Sequence, residues 1–244
     1  RLLMFVFSHD RANDGLLLIG LAHQLDAHRM THIDVKGIDC HIGSQITEAG
    51  PFRDALLRLR GLIDQLAREK IAIRVVDMGG GLGITYRDEQ PPHPKAYADA
   101  IREGLSGLDV RLVLEPGRVI VGNAGVLVTR VLYRKAGDHK SFMVVDAGMN
   151  DLIRPSLYDA HHDVWPVCEA AGRRPIPADI VGPICETGDF LGKERDLLLA
   201  PQDLLAVRSA GAYGFSMSSN YNSRPRAAEI MVDDTQVYVV RERE

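Results

Sequence analysis

Long apolar runs are missing from this chain. The longest, Leu2–Phe7 and Leu16–Leu21, fall far short of the ~18 residues that span a bilayer, so no membrane partner is expected. Arg1–Phe7 is also too short, and too soon followed by His9 and Asp10, to read as a secretory signal. Cysteine is scarce. Cys40, Cys168 and Cys185 are odd in number and match no common zinc spacing, which excludes a disulfide scaffold, gives no metal site and points to the cytoplasm. An excess of positive charge is absent too: 29 Lys and Arg against 33 Asp and Glu leave a net charge of −4, which argues against a nucleic-acid partner. What remains is the composition of a soluble globular protein, 45% hydrophobic and 25% charged over 244 residues.

The pattern changes once along the chain. From Val35 to Gly125 strands, loops and helices alternate. Val35–Cys40 reads as a buried strand. Phe52–Lys70 carries Phe52, Leu56, Leu59, Ile63 and Leu66 at helical spacing, with Pro51 suited to the first turn. Ile71–Asp77 is a second strand, Tyr97, Ile101 and Leu105 mark a second helix, and Val110–Leu114 is a third strand. Such alternation implies a parallel sheet, because parallel strands need a crossover. Beyond Gly125 strands dominate. Val126–Arg134 and Phe142–Val145 are expected as strands, and Ala228–Val232 with Thr235–Val240 as a hairpin turning at Asp233-Asp234; no long helical stripe follows Asp159. The expected division is therefore 1–125 and 126–244. Near the start, Arg1–Phe7 reads as a strand and Leu16–Arg29 as a helix.

Each of the three parallel strands ends in a polar or glycine-rich loop, where α/β folds build their sites. The first loop holds His41 and Ser44, the second Gly79-Gly80-Gly81-Leu82-Gly83, the third Glu115-Pro116-Gly117-Arg118. Taken singly these have plain readings: a packed histidine, a tight turn, a structural ion pair. Together they offer a ring, anion-binding backbone N–H groups, a carboxylate and a guanidinium. That inventory suits a planar, phosphorylated, nitrogen-containing cofactor. The second half adds Arg154 and Tyr158, and a loop from Gly182 to Asp189 in which Cys185 neighbours Glu186. An acid beside the thiol argues against full burial and for a functional cysteine.

In one order, Gly37–Gln45, Gly79–Gly83, Glu115–Arg118, Arg154–Tyr158, Cys185–Asp189 and Gly211-Ala212-Tyr213-Gly214 resemble the diaminopimelate decarboxylases, fold-type III enzymes that use pyridoxal 5'-phosphate (PLP). The resemblance runs from about Val35 to the end of the chain. It implies an α/β fold: the C-terminal part of an alanine-racemase-like (β/α)8 PLP barrel followed by a β-rich sandwich or barrel domain. It implies that His41 lies against the cofactor ring, that Ser44, Gly80, Gly81, Gly117 and Arg118 hold its phosphate, and that Glu115 bonds the pyridine nitrogen. Arg118, Arg154, Tyr158 and Glu186 fall at substrate positions, Tyr213 at one touching cofactor and substrate, and Cys185 at the proton donor. The family's site is shared across a homodimer, Cys185 and Glu186 serving the neighbouring subunit. The implied reaction turns meso-2,6-diaminopimelate, a small-molecule amino acid, into L-lysine and CO2.

One motif of the family is not found. The cofactor is held there by a lysine on the first barrel strand, in a Tyr-Ala-Val-Lys-Ala-Asn-like segment, and none of Lys36, Lys70, Lys95, Lys135, Lys140 or Lys193 lies in such a context. With arginine at position 1, the chain is expected to be the C-terminal part of a decarboxylase whose N-terminal part, with the early barrel strands, is missing. The alternatives are an ornithine or arginine decarboxylase of the same fold and a non-catalytic PLP-binding relative. The first loses ground to Arg154, which only a distal carboxylate would use, and to Glu186, which supplies the acid for the distal ammonium. The second loses ground to the proton donor Cys185 and the substrate arginines, which a chain freed from catalysis has no reason to keep.

Overall fold

The computed structural model describes residues 24–168 and 174–244. The strand expected at Arg1–Phe7 and most of the helix expected at Leu16–Arg29 lie outside them; residues 24–28 are helical. The chain divides into two units, one of the residues up to Ile84 with Gln90–Val119, the other of Thr85–Glu89 with Ile120–Glu244.

In the first unit, β1 (Gly37–Asp39), β2 (Val75–Asp77) and β3 (Arg111–Val113) form a parallel sheet in that order, with Ile38, Val76 and Leu112 in register. The helix Gly50–Arg68 links the first pair and Pro94–Gly104 the second. The first helix begins with proline in its first turn and buries Phe52, Ala55, Leu56, Leu59, Leu62, Ile63 and Leu66 along one stripe. The helices meet closely: the Phe52 and Tyr97 rings pack edge to face at 4.7 Å, and a side chain at Gly104 would strike Leu56. Arg60 closes the second helix by donating to the carbonyls of Gly104 at 2.9 Å and Ser106 at 2.7 Å. On the sheet, Ile38, Cys40, Val76 and Met78 join the helix side chains in one core. Strand alternation therefore turns Asp39, His41, Asp77 and Gly79 toward the opposite face, so the polar ends of β1 and β2 share a side.

The second unit is built on a six-stranded sheet in the order β6-β9-β4-β5-β7-β8, from β4 (Leu127–Ala136), β5 (Ser141–Val145), β6 (Val164–Pro166), β7 (Ile176–Val181), β8 (Phe190–Leu197) and β9 (Leu204–Val207). Neighbours are antiparallel except β5 and β7. Val131, Met143, Val145, Leu152, Ile180, Leu191, Leu205 and Val207 form its core. β10 (Glu229–Asp233) and β11 (Gln236–Arg241) make the hairpin, turning through Asp234 at φ 51°. The five-residue helix Arg154–Tyr158 ends at Asp159, itself left-handed at φ 49°, and no α-helix among the described residues follows it. No described helix is long and apolar enough to cross a membrane.

Candidate functional site

In the first unit the three strand ends are stitched together. The N–H of Glu115 donates to the carbonyl of Gly79 at 2.7 Å, and that of Ile46 to the carbonyl of Gly81 at 2.8 Å. The glycines are dictated by these approaches. A Cβ on Gly80 would lie 2.3 Å from the Glu115 carbonyl oxygen, and one on Gly81, at φ +99°, 2.2 Å from the Gly43 carbonyl oxygen. A Cβ on Gly79 would strike Nδ1 of His41 at 2.6 Å. The imidazole lies directly against the glycine loop, and the Gly80 N–H donates to its Nδ1 at 3.2 Å. Nδ1 is then the acceptor, so the neutral ring carries its hydrogen on Nε2. Ser44 and Arg118 are also brought together, Nη2 of the arginine donating to the hydroxyl at 2.8 Å. Glu115 and Gly117 are exposed at the end of β3.

A ring, a hydroxyl beside a guanidinium, glycine backbone and an exposed carboxylate thus gather at one end of one sheet. That donor set fits PLP: cation and hydroxyl for a phosphate, imidazole for an aromatic ring, carboxylate for a pyridinium.

Asp39 went unmarked in the sequence and belongs to this face. It is 5% exposed, its register partner Asp77 is 8% exposed, and its Oδ1 has no hydrogen-bond partner. Burial first, then the charges of Asp77 and Glu115, push its carboxyl up to about 6, against the pull of His41 and the Cys40 N–H. The signal was an acid between the apolar Ile38 and Cys40, in step with His41. Cys40 is the buried thiol, raised to about 11 by burial and by Asp39.

In the second unit the remaining candidates sit on different supports. Cys185, Glu186 and Thr187 are exposed at the tip of the loop between β7 and β8. Its base is pinned by buried Asp189, which accepts from the N–H of Ile184 at 2.6 Å and Met149 at 2.7 Å. Tyr221 donates its hydroxyl hydrogen to Glu186. Tyr213 is exposed and held at φ 60°, a left-handed conformation rare for an aromatic residue and found where the surroundings impose it. Its loop is fixed by Gly211, whose N–H donates to the Gly122 carbonyl at 3.1 Å. Arg154 and Tyr158 occupy one short helix but not one environment: Arg154 is 7% exposed, Tyr158 62%. Arg154 lies against His162 and Tyr86, two residues that no motif in the sequence had marked. His162 is wholly buried, and burial holds its imidazole down to about 4.

Residues 4–211 match the family model described as pyridoxal-dependent decarboxylase, C-terminal sheet domain, a match that begins well before Val35. Diaminopimelate decarboxylase of Pseudomonas aeruginosa is 63% identical over 220 residues, covering 89% of this chain and 52% of that protein. The Vibrio cholerae protein of the same name is 58% identical over 219 residues, with coverages of 89% and 52%. The chain thus spans about half the length of the curated relatives it matches. The crystal structure of diaminopimelate decarboxylase from Helicobacter pylori complexed with L-lysine is similar at a TM-score of 0.85 and 38% identity, covering 93% of this chain and 57% of that one.

Proposed function

The chain belongs to the pyridoxal-dependent decarboxylases, and from that premise we propose that it carries cofactor-holding and substrate-facing residues of a diaminopimelate decarboxylase, which forms L-lysine and CO2 from meso-2,6-diaminopimelate. The observation that carries the choice of substrate is Arg154, a guanidinium buried to 7% exposure. Ornithine and arginine end in a bare cation, which a buried guanidinium repels. Diaminopimelate ends in a carboxylate beside its ammonium, and a carboxylate is what such a group recruits. The relatives named above support the same reading.

The first unit would hold the PLP: His41 against the ring, Glu115 at its nitrogen, and Ser44, Gly80, Gly81, Gly117 and Arg118 at the phosphate. When bound, PLP supplies an electron-accepting ring for the electron pair that departing CO2 leaves behind. In the second unit Arg154, with Tyr158, would bind the distal carboxylate, Glu186 would accept from the distal ammonium, and Tyr213 would face cofactor and substrate. Arg118 would also reach the substrate. Cys185 would return a proton from Sγ to the carbon that CO2 leaves. β1, β2 and β3 would take three strand positions of an alanine-racemase-like (β/α)8 barrel, with a β-rich domain after it. We place the enzyme in the cytoplasm as a homodimer in which Cys185 and Glu186 serve the neighbouring subunit's site.

The direct test supplies the whole enzyme with PLP and meso-diaminopimelate and follows L-lysine by mass spectrometry together with released CO2. Equimolar lysine and CO2 are expected; diaminopimelate recovered unchanged would refute the reading.

A further inference from the structure

Arginine is seldom buried, and its flexible stem carries about 2 kcal/mol of rotamer entropy that a ligand must otherwise freeze out. In this structure much of that ordering is already done. Nη1 of Arg154 lies 2.8 Å from Nε2 of His162, and the other ring nitrogen, Nδ1, lies 2.8 Å from the carbonyl oxygen of Arg208. A carbonyl only accepts, so Nδ1 carries the hydrogen and Nε2 is the acceptor that Arg154 needs. The backbone thus fixes the tautomer, and the tautomer fixes the arginine. Tyr86 supports the same two groups from a second segment. Its ring packs edge to face on His162 at 5.3 Å, and Cζ of Arg154 lies 4.6 Å from its centroid.

The segment carrying Tyr86 is itself tied down. Glu89 Oε2 accepts from the N–H of Tyr86 at 2.9 Å and of Arg87 at 2.8 Å. The Thr85 carbonyl accepts from Asn123 at 2.8 Å and from the Ser209 hydroxyl at 3.3 Å. Ser209 follows Arg208, so the residues just after β9 brace both supports.

We propose that His162 and Tyr86 are positioning residues that fix the Arg154 guanidinium in advance for a ligand carboxylate, and so set the preference for ligands bearing that carboxylate over diamines without it. This rests on the reading of Arg154 given under Proposed function.

L-lysine and 1,5-diaminopentane differ by that one carboxylate, and neither needs turnover to be measured. The test is calorimetric titration of both ligands into the same preparation of the PLP-loaded whole enzyme. The lysine-to-diamine affinity ratio is independent of the fraction of protein that folds. His162→Leu removes the acceptor and is expected to lower the ratio about three- to tenfold, the worth of one immobilised side chain. His162→Gln, whose amide oxygen can accept from Arg154, should stay near wild type, and Tyr86→Leu should fall between. Arg154→Met serves as the reference and should lower the ratio furthest. A wild-type ratio in His162→Leu and Tyr86→Leu, with Arg154→Met lowered, would overturn the positioning role alone. An unmoved ratio in Arg154→Met would overturn the carboxylate reading and the positioning role with it.

Discussion

Asp39 and Asp77 face one another across β1 and β2, and both carboxyl groups are almost wholly shielded from water. Asp77 is compensated, since its Oδ1 accepts from the Gly79 N–H at 2.9 Å; Asp39 Oδ1 is not. Two neighbouring carboxylates cannot both ionise cheaply, and Asp39 yields, with its pKa raised from 3.8 to about 6. Between those values the folded protein binds a proton that the unfolded chain has released. Stability therefore falls as pH rises from about 4 to about 6 and stays low above. Asp39→Asn should raise stability at pH 7.5 by on the order of 1–3 kcal/mol and leave it unchanged near pH 4. Urea unfolding at both pH values checks this; an equal effect at the two would contradict it.

His162 works in the opposite direction. Its folded pKa is lowered from 6.5 to about 4, by burial first. The unfolded chain then binds the extra proton, so stability is lost as pH falls from 6.5 toward 4. His162→Gln should lose on the order of 1–3 kcal/mol less than wild type between pH 7 and pH 4.5. Because Asp39 and His162 oppose each other over this range, unfolding curves of the single variants are compared with that of the double variant.

Two glycines should respond to alanine with opposite signs. At Gly80 the new methyl would meet the Glu115 carbonyl at 2.3 Å, backbone against backbone, so the joined ends of β2 and β3 must part. Gly80→Ala should cost about 1–3 kcal/mol and abolish the absorbance of bound PLP. Gly61 lies on the exposed face of the helix Gly50–Arg68 with nothing within 4 Å of its Cβ position. Gly61→Ala should stabilise by about 0.5–1 kcal/mol. Melting curves of the two variants decide both signs.

Cys185 is exposed, so replacing it removes no core contact. Cys185→Ala should lower kcat by about 10²–10⁴-fold, the contribution of a positioned proton donor, with Tm unmoved and lysine binding little changed. Loss of Tm with kcat preserved per folded molecule would assign the thiol a packing role instead.

Much of the first unit could be read in the sequence because its signals are local. The stripe from Phe52 to Leu66 fixes a helix, and β1, β2 and β3 appear where apolar runs meet polar loops. The hairpin also appears, shifted one residue toward the C-terminus at each strand. β6, β7, β8 and β9 are not legible individually: strands of three to eight residues leave little periodicity to read, and all but β8 pair with a strand distant in sequence. The same reason hid Tyr86, His162 and Asp39. What matters about each is a neighbour or an environment set by tertiary packing: Tyr86 meets a ring 76 positions away, and the acidity of Asp39 depends on a strand 38 residues on. Glycine loops and the Cys185–Asp189 segment were legible because their chemistry is contiguous.

Arg154 as the partner of the distal carboxylate is what sets diaminopimelate apart from ornithine. The decisive measurement is kcat/KM of the whole enzyme for meso-diaminopimelate and for L-ornithine, in wild type and in Arg154→Met. Removing one side of an enclosed charge pair costs roughly 2–5 kcal/mol. Wild type should strongly prefer diaminopimelate, and Arg154→Met should cut its kcat/KM by about a hundredfold or more while any ornithine turnover is not reduced. An unchanged kcat/KM for diaminopimelate in Arg154→Met, or a wild-type preference for ornithine, would contradict the account.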